Sequence, residues 1–116
     1  MRKGKKMIQE TISQIEARIQ NAKSLDGAKK KELLDLVSTL KAEVSEFSKT
    51  HPEQTQSITG LTEVSIHEAT REEKNPQPLR LSLQGLSTSV KGFEGSHPKV
   101  VGVFNSICLS LSNIGI

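Results

Sequence analysis

The stretch from Val100 to Ile116, VVGVFNSICLSLSNIGI, decides the fold, because its 17 positions contain no charged residue. Its apolar residues recur with 4-3-4-3 spacing, which places them on one face of a helix. They are Val100, Phe104, Ile107, Leu111 and Ile114. Further apolar residues lie beside this stripe, and a helix that is apolar over much of its circumference is normally buried centrally or in a subunit interface. The sequence therefore predicts that this helix is the innermost of the protein.

Similar stripes in the preceding segments predict an all-α protein, an antiparallel bundle of four to five helices. The stripes include Phe47, Val64 and Phe93, and Phe47 and Phe93 are expected, with the stripe of the final helix, to form the core or an interface. The expected helices cover about 6–23, 27–49, 52–74, 78–94 and the segment from Pro98 onward. Residues 1–6 are expected to form a basic tail, and residues 7–116 a single domain that begins with a helical hairpin over 7–49.

Two parts of the chain match at a constant offset of 46 residues. Each of the units 33–61 and 79–107 contains the motif Phe-x-x-x-His-Pro, formed by Phe47, His51 and Pro52 and by Phe93, His97 and Pro98. Any two helices with heptad-like stripes align somewhere, but that does not explain this motif occurring twice in phase. Duplication of a helix–His-Pro–helix unit is therefore one interpretation and chance alignment the other.

The two His-Pro steps also leave the helix boundaries open. The 4-3 pattern continues through both steps without a change of register, which is compatible with long kinked helices. A residue that precedes proline disfavours helical geometry, however, and Gly95 suits the end of a helix. A break is favoured at His97-Pro98, with less support at His51-Pro52.

Composition predicts a thin core and a protein of the cytoplasm. Only 34% of the residues are apolar, with three Phe and no Trp or Tyr, and marginal cores often gain burial by self-association. The single Cys108 excludes an internal disulfide and is expected to be a small buried hydrophobe. No secretory signal is visible, and the uncharged closing stretch is shorter than the roughly 20 residues of a membrane span.

No catalytic, cofactor-binding or metal-binding residues are predicted. Glu63 and His67 share a helical face, but their spacing differs from the Glu-x-x-His of di-iron bundles and no second copy exists. The serines lack a nucleophile-elbow motif, and phosphate-binding glycine loops are absent. The two His-Pro histidines are more simply interpreted as helix-terminal residues than as ligands or pH switches.

Basic residues are concentrated near the start of the chain, where residues 1–31 contain nine Lys or Arg against three Asp or Glu. Residues 32–75 have the opposite balance, four against nine, which favours antiparallel neighbours or contacts between chains. Seven of the basic residues could contact phosphates, although no aromatic residue accompanies them for stacking. They are Arg2, Lys3, Lys5, Lys6, Lys29, Lys30 and Lys31.

The segments HEATR (67–71) and EKNP (73–76) and the closing motifs FEGSHP (93–98) and NIGI (113–116) carry a resemblance. The chain resembles a small bacterial family classed as a domain of unknown function, whose members end in F-E-x-S-H-P…N-x-G-I. The last 50 residues match well, whereas the first hairpin matches only in pattern. The resemblance implies an intracellular, all-helical protein and assigns no activity or catalytic residue.

The sequence thus predicts a non-enzymatic helical bundle, without a cofactor or a membrane contact, that binds protein. A second copy of the chain is the first partner expected, because the uncharged final helix and the thin core both favour self-association. The alternative is a protein that binds nucleic acid or another anionic surface through its basic N-terminal region.

Overall fold

The computed structural model describes residues 2–73 and 75–115, with side chains for residues 8–73 and 75–114. These residues form five helices and no strand, which confirms the predicted all-α bundle. The helices are α1 (Arg2–Asn21), α2 (Gly27–Thr50), α3 (Pro52–Ala69), α4 (Pro76–Lys91) and α5 (Pro98–Gly115).

Helix boundaries differ from the prediction where local capping decides them. α1 begins at Arg2, so it includes residues that the sequence assigns to a basic tail. α3 ends at Ala69, although the sequence predicts an end near residue 74. At this end the backbone N–H and the hydroxyl of Thr70 both donate hydrogen bonds to the Ile66 carbonyl. α4 begins at Pro76, two residues early, because the Asn75 side chain accepts the Gln77 N–H and proline suits a first turn.

The central helix is α3, not α5. α3 contacts all four other helices, whereas α5 contacts α2, α3 and α4 and the described part of α1 contacts only α2 and α3. α1, α2, α5 and α4 therefore form an arc around α3. The prediction that the uncharged final helix is innermost is wrong.

Small polar side chains allow α3 to occupy the centre. Its buried hydroxyls donate to carbonyls one turn earlier in the same helix, so little free energy is lost when they leave water. These bonds join Thr55 to His51 (2.6 Å), Thr59 to Thr55 (2.8 Å), Thr62 to Ile58 (2.8 Å) and Ser65 to Leu61 (2.9 Å). Short side chains also let neighbouring helices approach closely.

The apolar stripes of the other helices meet in one core, as their spacing predicts. On α5 the buried members are Val100, Phe104, Ile107 and Leu111, each at most 3% exposed. A single chain therefore buries this part of the stripe, and no subunit interface is needed to cover it.

Several apolar residues are less buried than the sequence predicts, among them Cys108, which is only partly buried. Phe93 and Ile114 are only partly buried, because Phe93 follows the end of α4 and Ile114 lies at the last turn of α5. Val64, which the sequence places on the α3 stripe, is 48% exposed. In the part of the chain that the structure describes, no helix has the length and apolarity needed to cross a membrane.

Candidate protein-interaction surface

α5 directs a second row of residues away from the core. Gly102, Ser106, Leu109 and Asn113 follow one another with 4-3-4 spacing, all are exposed, and none is charged. Leu109 is 64% exposed, against at most 3% for the buried stripe on the opposite side of the helix. Apart from the adjacent residues and the local backbone of α5, no described atom lies within 4 Å of a Cβ built on Gly102, so the space beside it is open. The outward face of α5 is therefore uncharged and accessible.

A groove between α2 and α5 accompanies this row along the helix. One part, about 480 Å³, and a second part, about 390 Å³, are both lined by Leu36, Thr39 and Ser106, so the two parts adjoin. Leu36 and Val103, which contact the core from the surface, also lie in the groove. The groove with the outward row of α5 is called the α2–α5 surface below.

Charged residues lie at the two ends of this surface. Glu32 and Asp35 line one end, where the Ser110 hydroxyl donates to Glu32 at 2.7 Å. Lys99 and Glu43 line the other end, and neither forms an ion pair with a described residue. α2 and α5 are thus antiparallel, and the groove has acidic residues at one end and a lysine with a glutamate at the other.

The Glu32 carboxylate connects the two helices. It accepts a 2.9 Å hydrogen bond from the ammonium of Lys29 in addition to the Ser110 hydroxyl. These two bonds hold the pKa of the Glu32 carboxyl below its ordinary value of 4.5, with Lys29 the larger cause. Glu32 is therefore ionised under ordinary conditions and holds Ser110 at the acidic end of the groove.

The lysines predicted as anion contacts have partners within the chain. Lys29 pairs with Glu32, the Lys30 ammonium donates to the Gln20 carbonyl at 3.1 Å, and Lys31 lies 3.6 Å from Asp35. The three cations do not converge on a common site. The side chains of the other candidates, Arg2, Lys3, Lys5 and Lys6, lie outside the described residues.

The helices break at both His-Pro steps, and the two steps share a hydrogen-bond pattern, although α2 ends at Thr50, directly before His51, and α4 ends earlier, at Lys91. The His51 N–H donates to the Phe47 carbonyl at 2.9 Å, and the His97 N–H donates to the Phe93 carbonyl at 2.8 Å. Pro52 and Pro98 each begin the next helix. The correspondence extends to the histidine rings, whose Nδ1 atoms lie 2.7 Å from the Thr50 hydroxyl and 3.0 Å from the Ser96 hydroxyl.

The side chains of the two motifs pack against each other, which sequence reasoning did not predict. The Phe47 and His51 rings stack at 4.7 Å, and the Phe93 ring meets Phe47 edge-on at 4.9 Å. The ring centres of His51 and His97 are 5.2 Å apart. The offset of 46 residues between the motifs is visible in the sequence. It does not indicate whether the two motifs are in contact in the folded protein. The cluster fastens the α2–α3 junction to the α4–α5 junction.

Glu63, His67 and Cys108 are the other titratable side chains that the sequence singles out. His67 is exposed, and its Nδ1 lies 3.0 Å from an Arg18 nitrogen. One carboxylate oxygen of Glu63 is buried without a hydrogen-bond partner, and no group of three or more His, Cys, Asp or Glu residues capable of holding a metal occurs among the described residues. Cys108 is half-buried, and burial raises the pKa of its thiol to about 11, so it is a poor nucleophile near neutral pH.

No family model, curated protein or solved structure matches this chain.

Proposed function

We propose that this protein acts by binding protein through the α2–α5 surface, and that its first partner is a second copy of itself. The exposure of Leu109 within an uncharged helix face carries this proposal. Because most of the inner stripe of α5 is buried by the chain, association must use the outward row. In this proposal the protein is non-enzymatic and works in the cytoplasm without a cofactor.

The apolar surface available at this site suits a reversible association. Complete burial of one leucine side chain contributes about 1.5–3 kcal/mol, and a symmetric dimer would bury Leu109 twice. The half-buried Leu36 and Val103 offer each Leu109 an apolar contact. Association also loses translational and rotational freedom, so we expect a dimer that forms at micromolar rather than nanomolar concentration.

Leu81 provides a matched control. It is 63% exposed, almost the same as Leu109, but it lies on α4 beside the exposed charge of Arg80. If an exposed leucine were enough to cause association, substitution of either residue would weaken the dimer equally. If the α2–α5 surface is the interface, only substitution of Leu109 weakens the dimer.

Sedimentation velocity over a series of protein concentrations tests the proposal. We expect the unaltered protein to pass from monomer to dimer, Leu81→Gln to behave in the same way, and Leu109→Gln to remain monomeric. Circular dichroism spectra should show equal helicity for all three, since both leucines point to solvent. A monomer at every concentration, or equal behaviour of the two variants, would contradict the proposal.

The alternative is binding to nucleic acid or another anionic surface through Arg2, Lys3, Lys5 and Lys6 together with Lys29, Lys30 and Lys31. Lys29 and Lys30 donate hydrogen bonds within the chain, whereas Lys31 lies 3.6 Å from Asp35 with 81% of its side chain exposed. It predicts an affinity for a DNA duplex that falls steeply with salt and is lost when residues 1–6 are deleted. A binding constant independent of salt would exclude it.

A further inference from the structure

We infer that a small phosphate-bearing anion binds in a cavity between the C-terminal ends of α1 and α3, where Arg18 and Lys23 hold it. The cavity measures about 390 Å³, and sites for small ligands range over about 300–1,000 Å³. It lies apart from the α2–α5 surface, so the site does not require the proposed self-association. The donors that line the cavity and the paired carbonyl groups at its rim support this inference.

The Arg18 guanidinium lines the cavity and forms no ion pair with a described residue. Its Nη1 lies 3.0 Å from Nδ1 of His67. Because an arginine can only donate, Nδ1 accepts this hydrogen bond and the imidazole nitrogen carries no proton. His67 therefore holds the guanidinium in place without neutralising its positive charge.

Lys23 and Asn21 supply further donors on the same side of the cavity. Lys23 lies in the turn between α1 and α2, and its ammonium forms no ion pair with a described residue. The Asn21 side chain carries an amide NH₂ group beside it. Phosphate oxygens are acceptors, and their hydrogen bonds from guanidinium and ammonium groups are stronger than those between neutral groups. This set of donors therefore suits a phosphate group.

One carboxylate opposes the two unpaired cations. Glu72 is exposed, lines the cavity and forms no ion pair with a described residue. Arg71 also lines the cavity, but its charge is offset by Glu68, to which it donates a 2.9 Å hydrogen bond. Arg18 and Lys23 thus leave one positive charge in excess of Glu72. Glu72 competes with the anion, so its neutralisation should strengthen binding.

The carbonyl groups at the rim of the cavity are already engaged. The C-terminal end of a helix normally disfavours an anion, because its last carbonyl groups carry partial negative charge. Here the Lys30 ammonium donates to the Gln20 carbonyl of α1, and the Thr70 N–H and hydroxyl donate to the Ile66 carbonyl of α3. The Thr70 carbonyl accepts from the Ser24 hydroxyl. These bonds reduce the negative potential that an anion would meet.

Titration with inorganic phosphate at constant pH and ionic strength tests the site. We expect the amide signals of Asn21, Lys23 and His67 to shift until they saturate, with a dissociation constant in the millimolar range because the contacts are exposed to solvent. Glycerol phosphate forms a second arm. Tighter binding of glycerol phosphate would identify an esterified ligand, and tighter binding of inorganic phosphate a free one. Shifts that never saturate with either compound would overturn the inference.

Matched substitutions locate the site. Arg18→Gln and Lys23→Gln should each weaken phosphate binding about two- to fivefold, as expected for an exposed ionic contact, and Glu72→Gln should strengthen it. Arg80→Gln should leave the constant unchanged, because Arg80 is exposed on α4 and does not line the cavity. Circular dichroism establishes that each variant is folded. Equal weakening by Arg80→Gln and Arg18→Gln, or no gain with Glu72→Gln, would contradict the assignment.

Two further variants separate this site from the functions proposed above. Leu109→Gln alters only the α2–α5 surface and should bind phosphate as the unaltered protein does, whether or not a dimer forms. Deletion of residues 1–6 removes the basic residues at the opposite end of α1 and should also leave the constant unchanged. Loss of phosphate binding on this deletion would show that the anion binds there and that the cavity is not its site.

Discussion

The most apolar helix of this protein, α5, is not the central one, whereas α3, which is central, buries several polar side chains. α5 contains no charge after Lys99, yet it lies on the outer arc and leaves Leu109 in solvent. α3 contains buried Thr55, Thr59 and Thr62, yet it is in contact with every other helix. The difference shows that a central position depends on small side chains with satisfied hydroxyls as much as on apolar content.

The same comparison indicates which helix is available to a partner. The buried face of α3 is occupied by its four neighbours, and its hydroxyls bond within the chain. α5 has one face in the core and the opposite face open, uncharged and adjoining a groove. Burial of its inner stripe anchors α5, so that its outward row is presented on a rigid element.

The largest expected effect separates the two faces of α5. Phe104→Ala should lower the free energy of unfolding by about 3–5 kcal/mol, because the side chain is 1% exposed and its loss leaves a cavity. Leu109→Ala should change the stability of the monomer by less than about 0.5 kcal/mol. Urea titrations at a concentration below dimer formation measure both values. Comparable losses at the two positions would mean that α5 has no distinct inner and outer faces.

An intermediate effect concerns the close packing around α3. Thr62→Leu should destabilise the protein by about 1–3 kcal/mol, because the added volume has no room among the neighbouring helices. Thr62→Val should cost less, since the hydroxyl bonds only the Ile58 carbonyl of its own helix and no other helix loses a bond. Chemical denaturation compares the two variants. A larger loss for valine than for leucine would show that the hydroxyl, and not the size of the side chain, decides the position of α3.

The smallest effect concerns the hydrogen bond from Ser110 on α5 to Glu32 on α2. This bond joins two helices, whereas the threonine hydroxyls of α3 bond within their own helix. The pKa of Glu32 is lowered in the folded protein by Lys29 and Ser110, so its ionised form is stabilised by folding. This stabilisation is complete above the ordinary pKa of 4.5 and is lost as the pH falls through the lowered value. Stability curves of Glu32→Gln and the unaltered protein should therefore converge in acid. A constant gap between the curves down to the lowest pH would contradict the assignment.

The spacing of apolar residues predicts where the helices of this protein lie in the sequence. It predicts less well how those helices are arranged around one another. A 4-3 stripe indicates which face of a helix is buried, and Phe104, Ile107 and Leu111 are buried as expected. It does not indicate which helix has the most neighbours, because buried Thr62 and exposed Val64 have the opposite appearance in a hydrophobicity pattern.

The candidate surface shows the same limit. Sequence reasoning placed the final helix innermost and named its apolar stripe for the core or an interface, whereas the structure buries most of that stripe and leaves Leu109 on the opposite side exposed. The neighbour of that face is α2, and Leu36 enters the surface only through the tertiary fold. The Phe-x-x-x-His-Pro motifs were visible at their offset, whereas their ring contacts depend on both junctions lying at the same end of the bundle. Whether the two units arose by duplication stays a prediction.

Amide chemical shifts recorded as a function of protein concentration test the central claim most directly. We expect the signals of Leu36, Gly102, Ser106 and Leu109 to move as the concentration rises, while those of Thr59 and Thr62 in α3 stay constant. Spectra that do not depend on concentration, or changes confined to the surroundings of Leu81 on α4, would contradict the account.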